Sequence, residues 1–120
     1  MARGESNLRT STIEMLILYL LTKRDLYGYE MSFLLEQLSD GNYSVMESSL
    51  YPTLYRLLDK KYISDRQITV GKRRTRVYYH LEPPGEVRLK HLLEDYRRTS
   101  HGIELILSSN LPIDINNPEN

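Results

Sequence analysis

Hydrophobic side chains recur along the chain with two different periods, and the change of period predicts the order of its elements. Three segments have apolar residues every three or four positions, the spacing of helices that bury one face; they are 8–23, 27–38 and 47–61. The next two segments, 63–70 and 76–81, are rich in β-branched and aromatic residues and flank a charged stretch with one glycine. This pattern predicts three helices followed by a β-hairpin, with a short turn at 25–27 between the first two helices.

A fourth helix is predicted to begin at Pro83 and Pro84, where the first backbone N–H groups have no intrahelical partner, and to reach about Ser109. Its apolar residues alternate by three and four in an a/d seam, which consists of Leu89, Leu92, Tyr96, Thr99, Ile103 and Ile106. A helix of this length would extend about 37 Å. Because a small monomer cannot cover that length, the seam predicts packing against another chain.

The first two helices differ in how many apolar faces they have. The core stripe of the first is predicted to be Ile13, Leu16, Ile17 and Leu20, and that of the second Met31, Leu34, Leu35 and Leu38. In the first helix, Ser11 and Glu14 have the spacing of a capping box, while Met15, Leu18 and Tyr19 point away from the stripe. This second apolar face either lies at the centre of the monomer or needs a partner chain.

The third helix has one apolar stripe and one polar face. The stripe consists of Leu50, Leu54, Leu57 and Leu58. Pro52 fits a helix that Ser48 or Ser49 caps, because a proline in or beside the first turn loses no intrahelical hydrogen bond. The helical wheel turns the polar face outward, with Tyr51 at its edge; the outward residues are Ser48, Ser49, Pro52, Tyr55, Arg56, Asp59 and Lys60.

The charge is unevenly distributed. The 120 residues carry no net charge, with 16 basic and 16 acidic side chains, but segment 47–80 holds eight basic and three acidic residues. The segments on either side, 1–46 and 81–120, are both net acidic. We call the eight cations the basic island; they are Arg56, Lys60, Lys61, Arg66, Lys72, Arg73, Arg74 and Arg76. Such asymmetry predicts an acidic partner that meets one surface of the protein.

The composition argues against several other classes. The chain has no cysteine, which excludes a disulfide framework, a thiol nucleophile and thiolate metal sites. His91 and His101 lack the spacing of a helical metal pair, and no glycine-rich phosphate loop or catalytic motif occurs, so we expect neither an enzyme nor a cofactor. The longest apolar run, 15–21, is too short to span a bilayer and lacks a signal-peptide cleavage site. We therefore expect a cytoplasmic protein with no membrane association.

The predicted order of elements is three helices, a hairpin and a last helix, and the basic island lies in the third helix and the hairpin. This is the layout of a winged helix-turn-helix. On this layout residues 8–100 resemble the PadR family of winged-helix transcriptional regulators, in its compact branch with a single C-terminal helix. The matching segments are Leu8-Arg9, Tyr27-Gly28-Tyr29-Glu30, Ser49-Leu50-Tyr51-Pro52 and Arg76-Val77-Tyr78-Tyr79-His80-Leu81 before Gly85. The resemblance implies a mainly α fold with a small β-hairpin: a DNA-binding domain over 1–82, a dimerisation helix over 83–109 and a flexible tail over 110–120.

The chain departs from the family pattern at two helix ends. Lys61 stands where the family usually has a glycine after the third helix, so it must adopt a left-handed cap or end the helix in another way. Glu82 replaces the threonine that caps the last helix, and a carboxylate there still suits the helix dipole.

The resemblance implies that the third helix enters the major groove and that the hairpin is the wing. Arg56 is suited to bidentate contact with guanine, whereas the wing cations can reach phosphates or the minor groove. For Tyr51, packing and phosphate contact remain equal alternatives. The predicted DNA-binding residues are Ser48, Ser49, Tyr51, Pro52, Tyr55, Arg56, Lys60, Lys72, Arg73, Arg74 and Arg76.

The first and last helices are implied to form a homodimer interface, for which we predict Met15, Leu18, Leu89, Leu92, Tyr96 and Ile103. Tyr19 and Tyr96 either pack there or line a pocket for a planar aromatic effector, such as a phenolic acid. The predicted function is a homodimeric repressor that binds a pseudo-palindromic operator in double-stranded DNA and is released by the effector. The alternatives are a winged-helix protein-interaction module and a small-molecule sensor without direct DNA readout.

Overall fold

A computed structural model describes residues 2–110, with side chains described from Thr12 onward. Apart from Asn110, the predicted tail lies outside the described residues. The elements are α1 (Ala2–Leu21), β1 (Leu26–Tyr27), α2 (Gly28–Leu38), α3 (Glu47–Asp59), β2 (Ile63–Val70), β3 (Arg74–Leu81) and α4 (Pro83–Leu107). The predicted fold class, mainly α with a small hairpin, is confirmed.

The sheet has three antiparallel strands in the order β1-β3-β2. In the hairpin, Ile63 pairs with Leu81 and Val70 with Arg74, so the loop has only three residues, 71–73. The first hairpin strand has the predicted bounds, and the second begins two residues earlier than predicted. The turn predicted at 25–27 is wrong, because Leu26 and Tyr27 pair with β3. A strand of two residues is too short to show a period of two in the sequence.

One core joins all the helices to the sheet. The largest fully buried side chains in the described part of the chain are Ile17, Leu18, Leu26, Met31, Leu50, Leu54 and Leu57. The predicted stripes of α1 and α3 enter this core, although Leu16 and Leu58 remain half-buried. The prediction that Leu38 points inward is wrong. This residue is the last of α2, and 70% of its surface is exposed.

The first helix is the central helix of the fold, with α2, α3, α4 and β3 packed around it. Its second apolar face is therefore covered within the monomer: Leu18 has no exposed surface and Met15 keeps 6%. Leu18 therefore has no surface left for the predicted contact with a partner chain, whereas the contact predicted for Met15 stays a prediction. The predicted capping box is also wrong, because the helix begins at Ala2 and residue 11 lies in its interior.

The third helix begins two or three residues earlier than a cap by Ser48 or Ser49 would place it. Met46 is the N-cap residue, and its carbonyl accepts a hydrogen bond from the N–H of Ser49 at 2.9 Å, so the predicted cap by Ser48 or Ser49 is wrong. Pro52 therefore lies inside the helix rather than in its first turn. The hydrogen bond that the proline cannot donate would run to the carbonyl of Ser48, and both residues are exposed to solvent.

At the end of α3 the first of the two alternatives for Lys61 is observed, because this residue adopts the left-handed conformation with a φ of 66°. The N–H of Tyr62 donates to the carbonyl of Leu57, and that of Lys61 donates to the carbonyl of Leu58, both at 3.0 Å. These two hydrogen bonds form a Schellman motif, which ordinarily uses glycine.

The last helix is anchored at its start and unsupported at its end. Glu82 is the N-cap residue, but its carboxylate accepts a hydrogen bond from the Ser64 hydroxyl at 2.6 Å and does not cap the helix. Gly85 lets the helix approach the chain closely, because an added Cβ would lie 2.2 Å from the carbonyl oxygen of Tyr62. The helix ends at Leu107, and its last turns extend beyond the core with their apolar side chains exposed.

Candidate nucleic-acid interface

The exposed face of α3 is the surface that the sequence assigned to DNA. Ser48, Pro52, Tyr55 and Asp59 lie opposite the buried leucines, and Tyr55 is 62% exposed. Ser49, Arg56 and Lys60 are also exposed, but they lie on one flank of the helix, about 100° around from this face. The face itself therefore presents hydroxyls, a proline and one carboxylate, and its cations are at the side.

The side chain of Tyr51 is half-buried on the flank opposite Arg56. Its hydroxyl donates a hydrogen bond to Glu47 Oε2 at 2.6 Å, and this bond raises the pKa of Tyr51 to about 12. The ring stacks on Tyr55 with the centroids 6.0 Å apart. In the free chain the single donor proton of this hydroxyl is used within the chain, and contact of Tyr51 with a phosphate stays a prediction.

Arg56 is 3.7 Å from the carboxylate of Glu14 in α1. The same carboxylate accepts hydrogen bonds from Arg88 of α4, from Nε at 2.8 Å and from Nη2 at 3.4 Å. The sequence did not pair Arg56 with Glu14, although a single acidic residue inside the apolar stretch 13–21 indicates a buried charge that needs a partner.

The wing presents three cations to solvent. Lys72, Arg73 and Arg74 are exposed around the hairpin loop, and among the described residues none of them makes an ion pair. Arg76 does not join them, because its guanidinium lies over the ring of Tyr27 at 4.4 Å from the centroid. The predicted set of four wing cations therefore divides into three at the tip and one that packs on β1.

A second polar cluster ties the hairpin to the segment between α1 and β1. Asp25 accepts hydrogen bonds from Arg66 of β2 and, at 2.8 Å, from Nδ1 of His80 in β3. The hydrogen bond from Arg66 is the main reason that the pKa of Asp25 is lowered, and partial burial opposes it. Arg66 belongs to the basic island but is paired within the chain, which its sequence position did not indicate.

Tyr19 and Tyr96, the predicted effector pair, line one open groove between α1, α2 and α4. The groove has a volume of about 460 Å³ and is mainly apolar. Other lining residues include Met15, Leu34, Leu38, Leu93 and Arg97. The structure thus brings the two tyrosines to the same site, with Tyr19 42% and Tyr96 47% exposed.

The predicted dimer residues of α4 differ in exposure along the helix. Leu89 is buried in the monomer core at 6% exposure, which argues against its predicted place in a dimer interface, and Leu92 is half-buried. Tyr96 and Ile103 are about half exposed. We call the exposed apolar residues at the end of the helix the α4 tip; they are Ile103, Leu105, Ile106 and Leu107. Leu105 and Leu107 were missed because they do not fall on the a/d seam.

The described residues contain no group of three or more His, Cys, Asp or Glu side chains that could hold a metal ion. Over the same part of the chain, no helix is both long enough and apolar enough to cross a membrane.

A three-helix core with a β-hairpin after the third helix defines the winged helix-turn-helix class. Residues 17–91 match the family model described as the transcriptional regulator PadR-like family, and the chain belongs to this family. The predicted resemblance is confirmed, and membership places the chain among transcriptional regulators rather than enzymes.

Solved structures agree with this assignment. A transcriptional regulator from Clostridium thermocellum is 28% identical, with a TM-score of 0.76 over 82% of this chain and 95% of its own. A PadR-like transcriptional regulator from Bacillus cereus is 26% identical, with a TM-score of 0.72 over 87% of this chain and 99% of its own. Bacillus subtilis PadR in complex with operator DNA is 25% identical, with a TM-score of 0.62; the match covers 87% of this chain and 51% of that protein.

Proposed function

We propose that this chain is a sequence-specific regulator that binds operator DNA through α3 and the wing. The observation that carries the proposal is the end of the hairpin, where Lys72 and Arg73 of the loop and Arg74 at the start of β3 are exposed without an anionic partner among the described residues. A solvated loop gains nothing from three adjacent like charges, whereas a phosphate backbone neutralises them. The similar B. subtilis PadR was solved with operator DNA, which supports the same partner.

The division of the basic island refines which residues contact DNA. Three of its members already have partners within the chain: Arg56 with Glu14, Arg66 with Asp25 and Arg76 with the Tyr27 ring. The other five are exposed and unpaired in the described structure, and we assign the phosphate contacts to them; they are Lys60, Lys61, Lys72, Arg73 and Arg74. We assign the base contacts to the exposed face of α3, which we call its groove face because it would enter the DNA major groove. Arg56 would join these contacts after it leaves Glu14.

The proposed active form is a homodimer. The α4 tip exposes Ile103, Leu105, Ile106 and Leu107, while the groove beside Tyr19 exposes an apolar surface on the same chain. A two-fold axis would place the α4 tip of each protomer near the groove beside Tyr19 of the other protomer. The same tip-to-groove contact would then occur twice in the dimer. Such a dimer reads a pseudo-palindromic operator whose half-sites are about 10 base pairs apart.

We further propose that the regulator is a repressor and that a planar aromatic effector binds beside Tyr19 and Tyr96. The volume of about 460 Å³ falls within the range of small-molecule sites, and a mainly apolar lining that includes Arg97 suits an aromatic acid. The alternative for the two tyrosines is packing against the partner's α4. Both occupants use the same surface, so effector binding would alter the dimer.

Selection of bound DNA from a random pool at two salt concentrations tests the main proposal. We expect enrichment of an inverted repeat whose binding collapses at the higher salt concentration. No enrichment at either concentration would refute DNA reading. The wing would then be a docking surface for an acidic protein, or the groove beside Tyr19 would be the main functional site, as in a sensor.

A further inference from the structure

Glu14 joins three helices through one buried carboxylate. The residue lies in α1 with 7% of its surface exposed. Arg88 of α4 donates two hydrogen bonds to it, and Arg56 of α3 lies at 3.7 Å. One anion therefore faces two cations, one from the helix that carries the α4 tip and one from the helix assigned to DNA reading.

Arg88 is sufficient to pair the carboxylate. A buried carboxylate requires a hydrogen-bonded cation, and the two bonds from Arg88, at 2.8 and 3.4 Å, reach both oxygens of Glu14. The bond to Glu14 also raises the pKa of Arg88. Removal of Arg56 would therefore leave no unpaired charge in the interior.

Arg56 makes the weaker contact with Glu14 of the two arginines. Its distance of 3.7 Å to Glu14 exceeds that of a hydrogen bond, and 41% of its side chain is exposed. It lies beside the groove face of α3 and is followed by the exposed Lys60 one turn later. A guanidinium in this position can move to a guanine edge or a phosphate without breaking a hydrogen bond to Glu14.

We propose that Glu14 is a positioning residue that holds Arg56 beside the reading face in the free protein and releases it to DNA, while Arg88 keeps the carboxylate paired. Glu14 thus sets how strongly the chain retains its base-reading arginine. The hold on Arg56 depends on α4, because a weaker contact from Arg88 leaves more of the negative charge to Arg56. The inference rests on the proposed function as a DNA reader, since the second partner of Arg56 is DNA.

The first test needs no DNA. Urea unfolding of the full chain is measured for Glu14→Gln, Arg56→Gln and Arg88→Gln, singly and in pairs, as two double-mutant cycles. We expect the coupling between Glu14 and Arg88 to exceed that between Glu14 and Arg56. A coupling to Arg56 that equals or exceeds the coupling to Arg88 would overturn the proposal, because Arg56 would then be a structural partner.

The second test measures affinity for the operator obtained by selection, at one fixed salt concentration. Glu14→Gln frees Arg56, so the affinity should rise roughly two- to fivefold. The same substitution in the Arg56→Gln background should give no such gain. A gain that persists there would overturn the proposal, because it would reflect only the loss of a negative charge near DNA.

Arg88→Lys provides a variant with unchanged net charge in case Glu14→Gln does not fold. Lysine cannot reproduce the two-point contact, so Glu14 should hold Arg56 more strongly and operator affinity should fall by a few fold. The fall should vanish in the Arg56→Gln background, and Arg98→Lys on the same helix is the matched control. Equal effects of Arg88→Lys and Arg98→Lys on operator affinity would overturn the proposal. If the wild-type protein binds no DNA, only the proposed DNA-reading function is refuted, and the unfolding cycles still measure the couplings of Glu14.

Discussion

Replacement of Arg73 and Arg74 by glutamine should flatten the salt dependence of operator binding. Each protomer presents three unpaired cations at the wing tip, so a dimer presents six. Each phosphate neutralised by a cation changes the slope of log affinity against log salt by about 0.9. From 50 to 200 mM salt, each contact therefore accounts for roughly half a decade of affinity. The double variant removes four contacts per dimer, and its affinity should fall across this range by about two decades less than that of the wild type.

Fluorescence anisotropy with labelled operator at a series of KCl concentrations measures the slope. Lys90→Gln with Arg98→Gln is the matched control, because it removes the same charge from exposed positions on α4, away from the wing. The control should keep the wild-type slope within about one unit, while the wing variant should lose three to four units. Equal slopes for the two double variants would show that the wing tip does not contact phosphates and would refute the reasoning.

Three further outcomes follow from single contacts. Lys61→Gly should raise the free energy of unfolding by about 1 kcal/mol in urea titrations, because glycine adopts the positive φ without strain. The pKa of Asp25 in the folded protein is below its ordinary value of 3.8. The carboxylate therefore stabilises the fold above pH 3.8, and this stabilisation is lost as the pH falls through the lowered pKa. Asp25→Asn should reduce the loss of folding stability between pH 6 and about pH 3. Ile106→Asp at the α4 tip should yield monomers in sedimentation velocity, whereas a stable dimer would refute the proposed interface.

The sequence predicts the elements of this fold better than it predicts their contacts. The helical and strand periods identify α2, α3, α4 and the hairpin. The glycine usual in the family at position 61 suggests a left-handed cap there, one of the two alternatives that the sequence left open. The period of α1 is ambiguous, because a helix surrounded by four elements is apolar on two sides whether or not a partner chain exists. Burial of Leu18 in the monomer could be established only from the packing of these elements.

The sequence predicted the candidate DNA-binding site only in part, because it does not show the contacts between distant elements. Periodicity shows which face of an element is polar, but it does not show which distant residue meets that face. Arg66 pairs with Asp25 across 41 positions, and Arg56 meets Glu14 through the packing of α3 on α1. These contacts change the function assigned to each cation, because an arginine that is paired within the chain must exchange partners before it can bind DNA.

The positions of Arg88 and Tyr96 on α4 explain how the proposed effector could influence DNA binding by α3. The two residues are eight positions apart on α4, or about 12 Å along one continuous helix. We expect an occupant of the groove that shifts the segment around Tyr96 to weaken the contact of Arg88 with Glu14, because both residues belong to one unbroken helix. Withdrawal of Arg88 leaves Glu14 with Arg56 as its remaining cation, which holds that arginine away from DNA. Groove binding is therefore expected to lower operator affinity, the direction required for a repressor that its ligand releases, and this effect should disappear in Glu14→Gln.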